Sequence, residues 1–290
     1  MGKDLPAGNA QAKALYAKAD ATLGFPLSTL CFEGPEDELR QTKNTQPAIF
    51  VHSIVLLHLM KDVKFDMAAG HSLGEYTALV AAGALKFEDG LRLVRLRGEL
   101  MQQAGVDCPG TMAAIVGLDQ KTINAVCAES SAAGVVQAAN YNSPGQIVIS
   151  GSLPGVRKAM EIASKRGAKL VKELPVSGAF HSPLMESARK GLKTALDKAE
   201  IRDAKVPVYA NVTGRPMQHA DEIRELLYRQ LTSPVRWEES VGSMIADNAS
   251  VFVEIGPGKV LQGLVKRINN TVETKGIEKL TDVSGNGVHG

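Results

Sequence analysis

Apolar residues recur first at helical spacing and, in the middle of the chain, in short strand-like runs. Residues 10–21, rich in Ala, Lys and Leu, predict a helix, and residues 47–60 a second one, apolar nearly all round and so largely buried. A short apolar stretch at 65–69 predicts a strand that runs into Gly70-His71-Ser72-Leu73-Gly74. Residues 75–85 and 89–103 predict two more helices, and the glycines between 105 and 110 break the second. The middle changes character: 112–118 reads as strand, 120–130 as helix, 135–139 and 147–150 as a strand pair, 153–166 as helix and 169–176 as strand. That β-α-β-β-α-β order is the split βαβ pattern of a ferredoxin-like unit. The α/β rhythm then resumes, with strands at 207–212 and 251–255 set among helices. The expectation is an α/β protein: a large domain with a parallel sheet in two parts, 1–107 and 179–282, a ferredoxin-like subdomain inserted at 108–178, and a flexible Gly-rich tail at 283–290.

Composition narrows the function classes. An apolar fraction of 44% in 290 residues excludes a disordered chain. The 33 basic and 31 acidic residues nearly cancel, which argues against nucleic acid as a partner. The longest apolar run, at 54–60, is too short to span a bilayer, so no membrane anchor is expected. Cys31, Cys108 and Cys127 stand singly, without a disulfide frame or zinc-ligand spacing. The N-terminus has no basic flank leading into an apolar core, so the chain reads as cytoplasmic, and the Asn-x-Ser/Thr triplets at Asn211, Asn248 and Asn269 carry no glycosylation meaning.

Gly70-His71-Ser72-Leu73-Gly74 is a G-x-S-x-G sequence between a predicted strand and a predicted helix, the setting of a nucleophile elbow. Only glycines let the flanking backbone pass so closely, and the helix start offers the Leu73 N–H to a developing oxyanion. The competing reading makes Ser72 an ordinary N-cap at a tight turn. A serine nucleophile needs a base. His52 and His58 lie in an apolar helix, the His71 side chain is expected to point away from its neighbour, His219 sits among polar loop residues, and His289 is in the tail. His181 precedes Ser182-Pro183, an N-cap and first helical position, and a histidine there is disfavoured as imidazolium and so able to accept a proton. An ordinary loop histidine remains the alternative.

The sharpest inference concerns Arg97. Arg92 has Glu88 four residues before it and Arg95 has Glu99 four residues after it, both ordinary surface pairs. Arg97 instead has Leu93, Val94, Leu100 and Met101 as its helical neighbours, and so projects from the apolar face with no acid in reach. A guanidinium there needs a carboxylate, either from a distant Asp or Glu or from a substrate that it binds bidentately. Two other motifs carry less. Gly256-Pro257-Gly258-Lys259 lacks the spacing and hydroxyl of a phosphate loop and reads as a turn. The segment from Asn140 and Asn142 to Gln146 reads as a polar loop between two strands, whose amides alternatively line a cleft between the domains.

Taken together these segments resemble the malonyl-CoA:acyl-carrier-protein transacylases of fatty-acid synthesis and the acyltransferase domains of polyketide synthases. The resemblance is carried by Gly70 to Tyr76, Arg97 to Gln102, Asn140 to Gly151, Gly178 to Pro183, Gln230 to Trp237 and Glu254 to Gly258, in the family's order over nearly the whole chain. It implies a ping-pong transfer from malonyl-CoA, through a malonyl ester of Ser72 with His181 as base, to the phosphopantetheine thiol of acyl carrier protein. It makes Arg97 the anchor of the malonyl carboxylate, Phe180 a mark of the malonyl type, Asn140 and Asn142 substrate-binding, and the backbone carbonyl of Gln230 the group that orients the histidine. A monomer with no metal or redox cofactor is expected, with coenzyme A thioester as substrate. Basic residues such as Lys165, Arg166 and Lys169 are candidates for meeting an acidic carrier, against the alternative of a solvated helix face.

One departure qualifies that expectation. Family members open with a strand ending in Gly-Gln-Gly-x-Gln, whose first glutamine supplies a second oxyanion N–H, whereas Met1-Gly2-Lys3-Asp4-Leu5 resembles the stretch just after it. Loss of one such donor costs about a hundredfold to a thousandfold in turnover. A catalytically weak relative that only binds carrier protein or CoA is therefore the second reading, and a serine esterase the third. An esterase of the G-x-S-x-G kind expects a late histidine and a Gly-rich oxyanion run, but only His219 and His289 follow His181, and no such run is present.

Overall fold

The structure is a computed structural model describing residues 1–60 and 63–285. Its nine strands are β1 (Ala68–Ala69), β2 (Gly110–Val116), β3 (Val136–Ser143), β4 (Gln146–Ser152), β5 (Leu170–Glu173), β6 (Val208–Tyr209), β7 (Pro216–Met217), β8 (Val251–Ile255) and β9 (Glu273–Ile277).

The middle of the chain forms an antiparallel sheet in the order β3-β4-β2-β5, with the helices Gln120–Ser130 and Leu153–Lys165 packed against it. The α/β fold with a ferredoxin-like unit is thus observed. Alternation along β2 explains its two faces. Ala113 and Ile115 pack under Ile123, Val126, Val156 and Ala159, while Met112 and Ala114 turn to the opposite face, where Phe180 lies. Residues 140–143, read from sequence as a loop, belong to β3, and only Pro144 and Gly145 make the turn. The polar segment stays extended because its outer edge finds a partner: Tyr141 N–H donates to the Val235 carbonyl at 2.9 Å, and Val235 N–H to that of Ala139 at 2.8 Å. This parallel bridge joins the small sheet to the large body.

In the large body, parallel pairing is split between β1–β6, which has antiparallel β7 on its far side, and the separate pair β8–β9. The runs at 65–69 and 207–212 contribute only two strand residues each. Past Tyr209 the chain leaves the ladder because the Asn211 N–H donates to the Glu75 carboxylate at 2.8 Å instead of to a strand.

Two long helices pack against each other within the main core. Thr42–Leu59 begins five residues earlier than residue 47, so Pro47 sits inside it. The missing N–H leaves the Lys43 carbonyl free, and Arg95 Nη1 donates to that carbonyl at 3.0 Å. Phe87–Asp107 runs four residues past the expected end, through Gly105. That glycine permits a close approach rather than a break: a Cβ would lie 2.3 Å from the Ser177 carbonyl oxygen. On the exposed side of this helix Arg95 pairs with Glu99 at 2.6 Å, whereas Arg92 pairs with Asp89 at 3.2 Å because Glu88 is taken by Lys18. At the C-terminus, the helix Leu280–Gly285 takes up the start of the stretch read as a tail, and residues 286–290, His289 among them, lie outside the described residues.

Candidate active site

Ser72 stands in the turn between β1 and the helix Gly74–Ala81, with φ at 52°. A serine in the left-handed region is strained, and the turn closes only because Gly70 has no side chain: its Cβ would lie 1.9 Å from the Gly74 carbonyl carbon. Asn211 clamps the same turn, accepting from Ser72 N–H at 2.6 Å and donating to the Gly70 carbonyl at 2.7 Å. The Leu73 N–H has no acceptor among the described residues and stands at the helix start, open to a ligand oxygen.

His181 reaches this turn from the other part of the large body. Its Nε2 lies 2.8 Å from Ser72 Oγ, and its Nδ1 lies 3.0 Å from the Gln230 carbonyl oxygen. A backbone carbonyl can only accept, so Nδ1 carries the proton and Nε2 is left to take the serine's. The backbone of His181 is also left-handed, at φ 57°, and Gln137 Nε2 donates to its carbonyl at 2.8 Å. Ser182 caps the short 3-10 turn that follows, accepting from Leu184 N–H at 3.3 Å. Burial, with the Arg97 charge adding to it, holds the His181 imidazolium down to about 3, so the ring is neutral at ordinary pH.

Arg97 is 1% exposed and reaches the same serine hydroxyl. Its Nη2 donates to Ser72 Oγ and to Gln230 Oε1, each at 2.9 Å, and its Nη1 donates to Gln46 Oε1 at 2.6 Å. Tyr76 lies beneath it, ring centre 5.7 Å from the guanidinium carbon. Nε has no partner among the described residues. The guanidinium is therefore held by two side-chain amides and, among the described residues, by no carboxylate directly. The nearest acid in this network, Glu75, is one residue removed: its Oε2 accepts from Gln230 Nε2 at 3.1 Å. Burial pushes the Glu75 carboxyl up to about 7, against the pull of the Asn211 N–H, the Gln230 amide and the Arg97 charge.

These groups border a cavity of about 290 Å³ whose lining includes Gln46, Ser72, Leu73, Arg97, Met112, Asn140, Phe180 and His181. Asn140 contributes a buried Oδ1 with no partner among the described residues, whereas Asn142 is turned onto His71, whose Nε2 lies 2.9 Å from Asn142 Oδ1. The His71 ring thus points away from the serine hydroxyl, between Asn142 and Trp237, while still flanking the cavity. His52 is engaged elsewhere, with Nε2 at the Glu278 carbonyl, His58 is exposed, and His219 pairs with Asp203 on the surface. Sequence reasoning missed Gln46, Glu75, Asn211 and the side chain of Gln230. Asn211 was visible only as a glycosylation-like triplet, and Glu75 only as the residue after the elbow glycine.

A serine hydroxyl within hydrogen-bond reach of both a neutral histidine and a buried arginine thus lies in one cleft. The family model for the acyl transferase domain matches residues 1–283. The chain belongs to the acyl transferase domain family. Within that family it is similar to a malonyl CoA-acyl carrier protein transacylase of Bacillus subtilis, 49% identical over 277 residues, covering 94% of this chain and 87% of that one. Among solved structures it is similar to an acyl-carrier-protein S-malonyltransferase of Burkholderia pseudomallei, with TM-score 0.94, 40% identity, and coverage of 98% of this chain and 94% of the other. A malonyl-transacylase in complex with a type II PKS acyl-carrier protein also superimposes, with TM-score 0.93, 38% identity, and coverage of 97% and 92%. The group that His181 Nδ1 meets is a backbone carbonyl, whereas the esterase arrangement places an acid there. Among the described residues no helix is long and apolar enough to cross a membrane.

Proposed function

We infer that the chain transfers the malonyl group from malonyl-CoA to the phosphopantetheine thiol of acyl carrier protein, supplying fatty-acid synthesis. The observation that carries this reading is the Arg97 guanidinium, buried, unpaired by any carboxylate among the described residues and 2.9 Å from the serine hydroxyl. An acyl group ending in a carboxylate fits it, and an uncharged acyl group leaves the cation uncompensated.

The malonyl carboxylate meets Arg97 and the thioester carbonyl comes to rest over Ser72. Ser72 Oγ attacks the carbonyl carbon as its proton passes to His181 Nε2, and the oxyanion is met by the Leu73 N–H. The tetrahedral species collapses, the C–S bond breaks, and the thiolate of coenzyme A takes the proton from His181. A malonyl ester of Ser72 remains. The carrier's thiol then enters in place of coenzyme A, gives its proton to His181, attacks the ester, and leaves as malonyl thioester while Ser72 regains the proton. With Nδ1 held as donor on the Gln230 carbonyl, His181 has Nε2 free to accept in each half-reaction. Phe180 and Met112 wall the acyl cavity, and Asn140 lines it as a polar residue available to substrate. Asn142 acts through His71. No step calls on a metal or a redox group. On this reading the chain works as a monomer in the cytoplasm.

Intact mass after mixing with malonyl-CoA tests the reading. A malonyl adduct is expected on the native chain and absent from Ser72→Ala; an adduct of equal yield on the alanine variant would dismiss Ser72 as the nucleophile.

A further inference from the structure

Glu75 is fully buried directly behind the elbow, yet no step above uses it. One oxygen, Oε2, accepts from Asn211 N–H at 2.8 Å and from Gln230 Nε2 at 3.1 Å, while Oε1 has no partner among the described residues. The same Gln230 amide nitrogen donates to the Ser72 carbonyl at 3.0 Å, and its oxygen accepts from Arg97 Nη2 at 2.9 Å. A glutamine amide has nearly the same shape either way round, so what surrounds it decides which end faces which neighbour. Oε2 already accepts from the Asn211 N–H, so any proton on the carboxyl sits on Oε1, and toward Gln230 both Oε2 and the Ser72 carbonyl accept only. Together they demand the NH2 end and leave the oxygen for Arg97. A flipped amide would set donor against donor at the guanidinium and acceptor against acceptor at Glu75, each buried and unsatisfied.

We propose that Glu75 is a positioning residue of the carboxylate-binding site: by accepting from Gln230 it orders the amide that holds Arg97 beside the serine. The proposal rests on the reading of Arg97 as the anchor of the acyl carboxylate. The indirect connection has a chemical use. A direct ion pair with Glu75 would satisfy the guanidinium in the empty site and compete with an incoming carboxylate. The neutral amide between them lets the buried acid steady the buried cation and leaves Arg97 Nε unpartnered.

The test compares malonyl-CoA with acetyl-CoA as acyl donors for the native chain, Glu75→Ala, Glu75→Gln, Glu75→Met and Arg97→Ala. The readout is the ratio of the two kcat/KM values for acyl-serine formation, taken within one preparation so that an unfolded fraction lowers both rates alike. Arg97→Ala is expected to lose the malonyl preference. Glu75→Ala should lower the ratio about tenfold, the worth of one hydrogen bond to a charged site, with the loss concentrated in KM for malonyl-CoA. Glu75→Gln, whose side-chain oxygen still accepts from both donors, should return the ratio to within about threefold of native. Glu75→Met fills a similar volume without accepting and should behave like the alanine variant, which keeps the test alive if the smaller side chain prevents folding. A native ratio in either apolar variant beside a lost ratio in Arg97→Ala overturns the proposal and leaves the reading of Arg97 standing. An Arg97→Ala variant with an unchanged ratio overturns that reading and the proposal with it. A glutamine variant as low as the alanine variant also overturns the ordering role.

Discussion

The cavity has two ends that the protein builds by different means. At the reacting end, Ser72 and His181 are both held in left-handed backbone conformations, and the distant Asn211 and Gln137 side chains bond to the main chain of those two residues. At the recognition end, Arg97 sits on a regular helix in an unstrained backbone and is aimed by side-chain amides from distant segments, Gln46 and Gln230. The contrast follows from chemistry. A hydroxyl and an imidazole must meet at a fixed distance, and a strained turn fixes a short side chain firmly because few rotatable bonds follow it. A long guanidinium side chain has to be fixed near its far end, where only other side chains reach.

That division predicts the sizes of mutational effects. At the reacting end, His181→Ala removes the proton acceptor for both half-reactions and should lower the rate of malonyl-serine formation by about a hundredfold to ten-thousandfold. Stopped-flow or quenched measurement of the acylation step reads it directly. A loss below tenfold would assign the proton to another group. At the recognition end, Arg97→Ala should act on discrimination before rate, with the preference for malonyl over acetyl falling about a hundredfold, as expected for a desolvated charge-assisted pair. Equal losses with both donors would mean that Arg97 serves Ser72 rather than the carboxylate.

The same division governs what was legible in the sequence. The elbow, the histidine before its cap and the Arg97 on an apolar helix face could be read because each is marked by neighbours a few residues away, although what keeps His181 neutral is burial and the distant Arg97. The small sheet was legible for the same reason, since alternation along β2 is a local signal. Gln46, Glu75, Asn211 and the Gln230 side chain were not, because each acts across the fold, with partners 51 to 158 positions distant. Nothing near Asn211 marks it as a clamp on Ser72. Boundaries failed where tertiary contacts overrode local preference. Pro47 reads as a helix start until Arg95 is seen to take the carbonyl it frees, and residues 140–143 read as loop until Val235 supplies their edge. Gly105 reads as a breaker although its role is to admit the Ser177 carbonyl.

The smallest effect in energy per pH unit separates the two ends most cleanly. His181 titrates near 3 in the folded chain, against an ordinary value of 6.5. Between those values the unfolded state holds a proton that the folded state does not, so His181 makes stability fall as pH drops, by about 1.4 kcal/mol per unit. Glu75 works in the opposite sense. Its carboxyl lies near 7 when folded and at 4.5 when free, so between these values the folded state holds the extra proton and stability rises as pH drops. From pH 6.5 to 4.5 the two slopes nearly cancel in the native chain. Glu75→Gln should therefore unmask the histidine, losing stability on acidification relative to native, and His181→Asn should unmask the carboxyl and gain it. His52, lowered by burial and not coupled to either group, is common to all of these proteins and drops out of the differences. Urea midpoints at pH 4.5, 5.5 and 6.5 measure the divergence. Parallel profiles for native and Glu75→Gln would show that the carboxyl does not titrate in this window, and that the two ends differ in geometry alone.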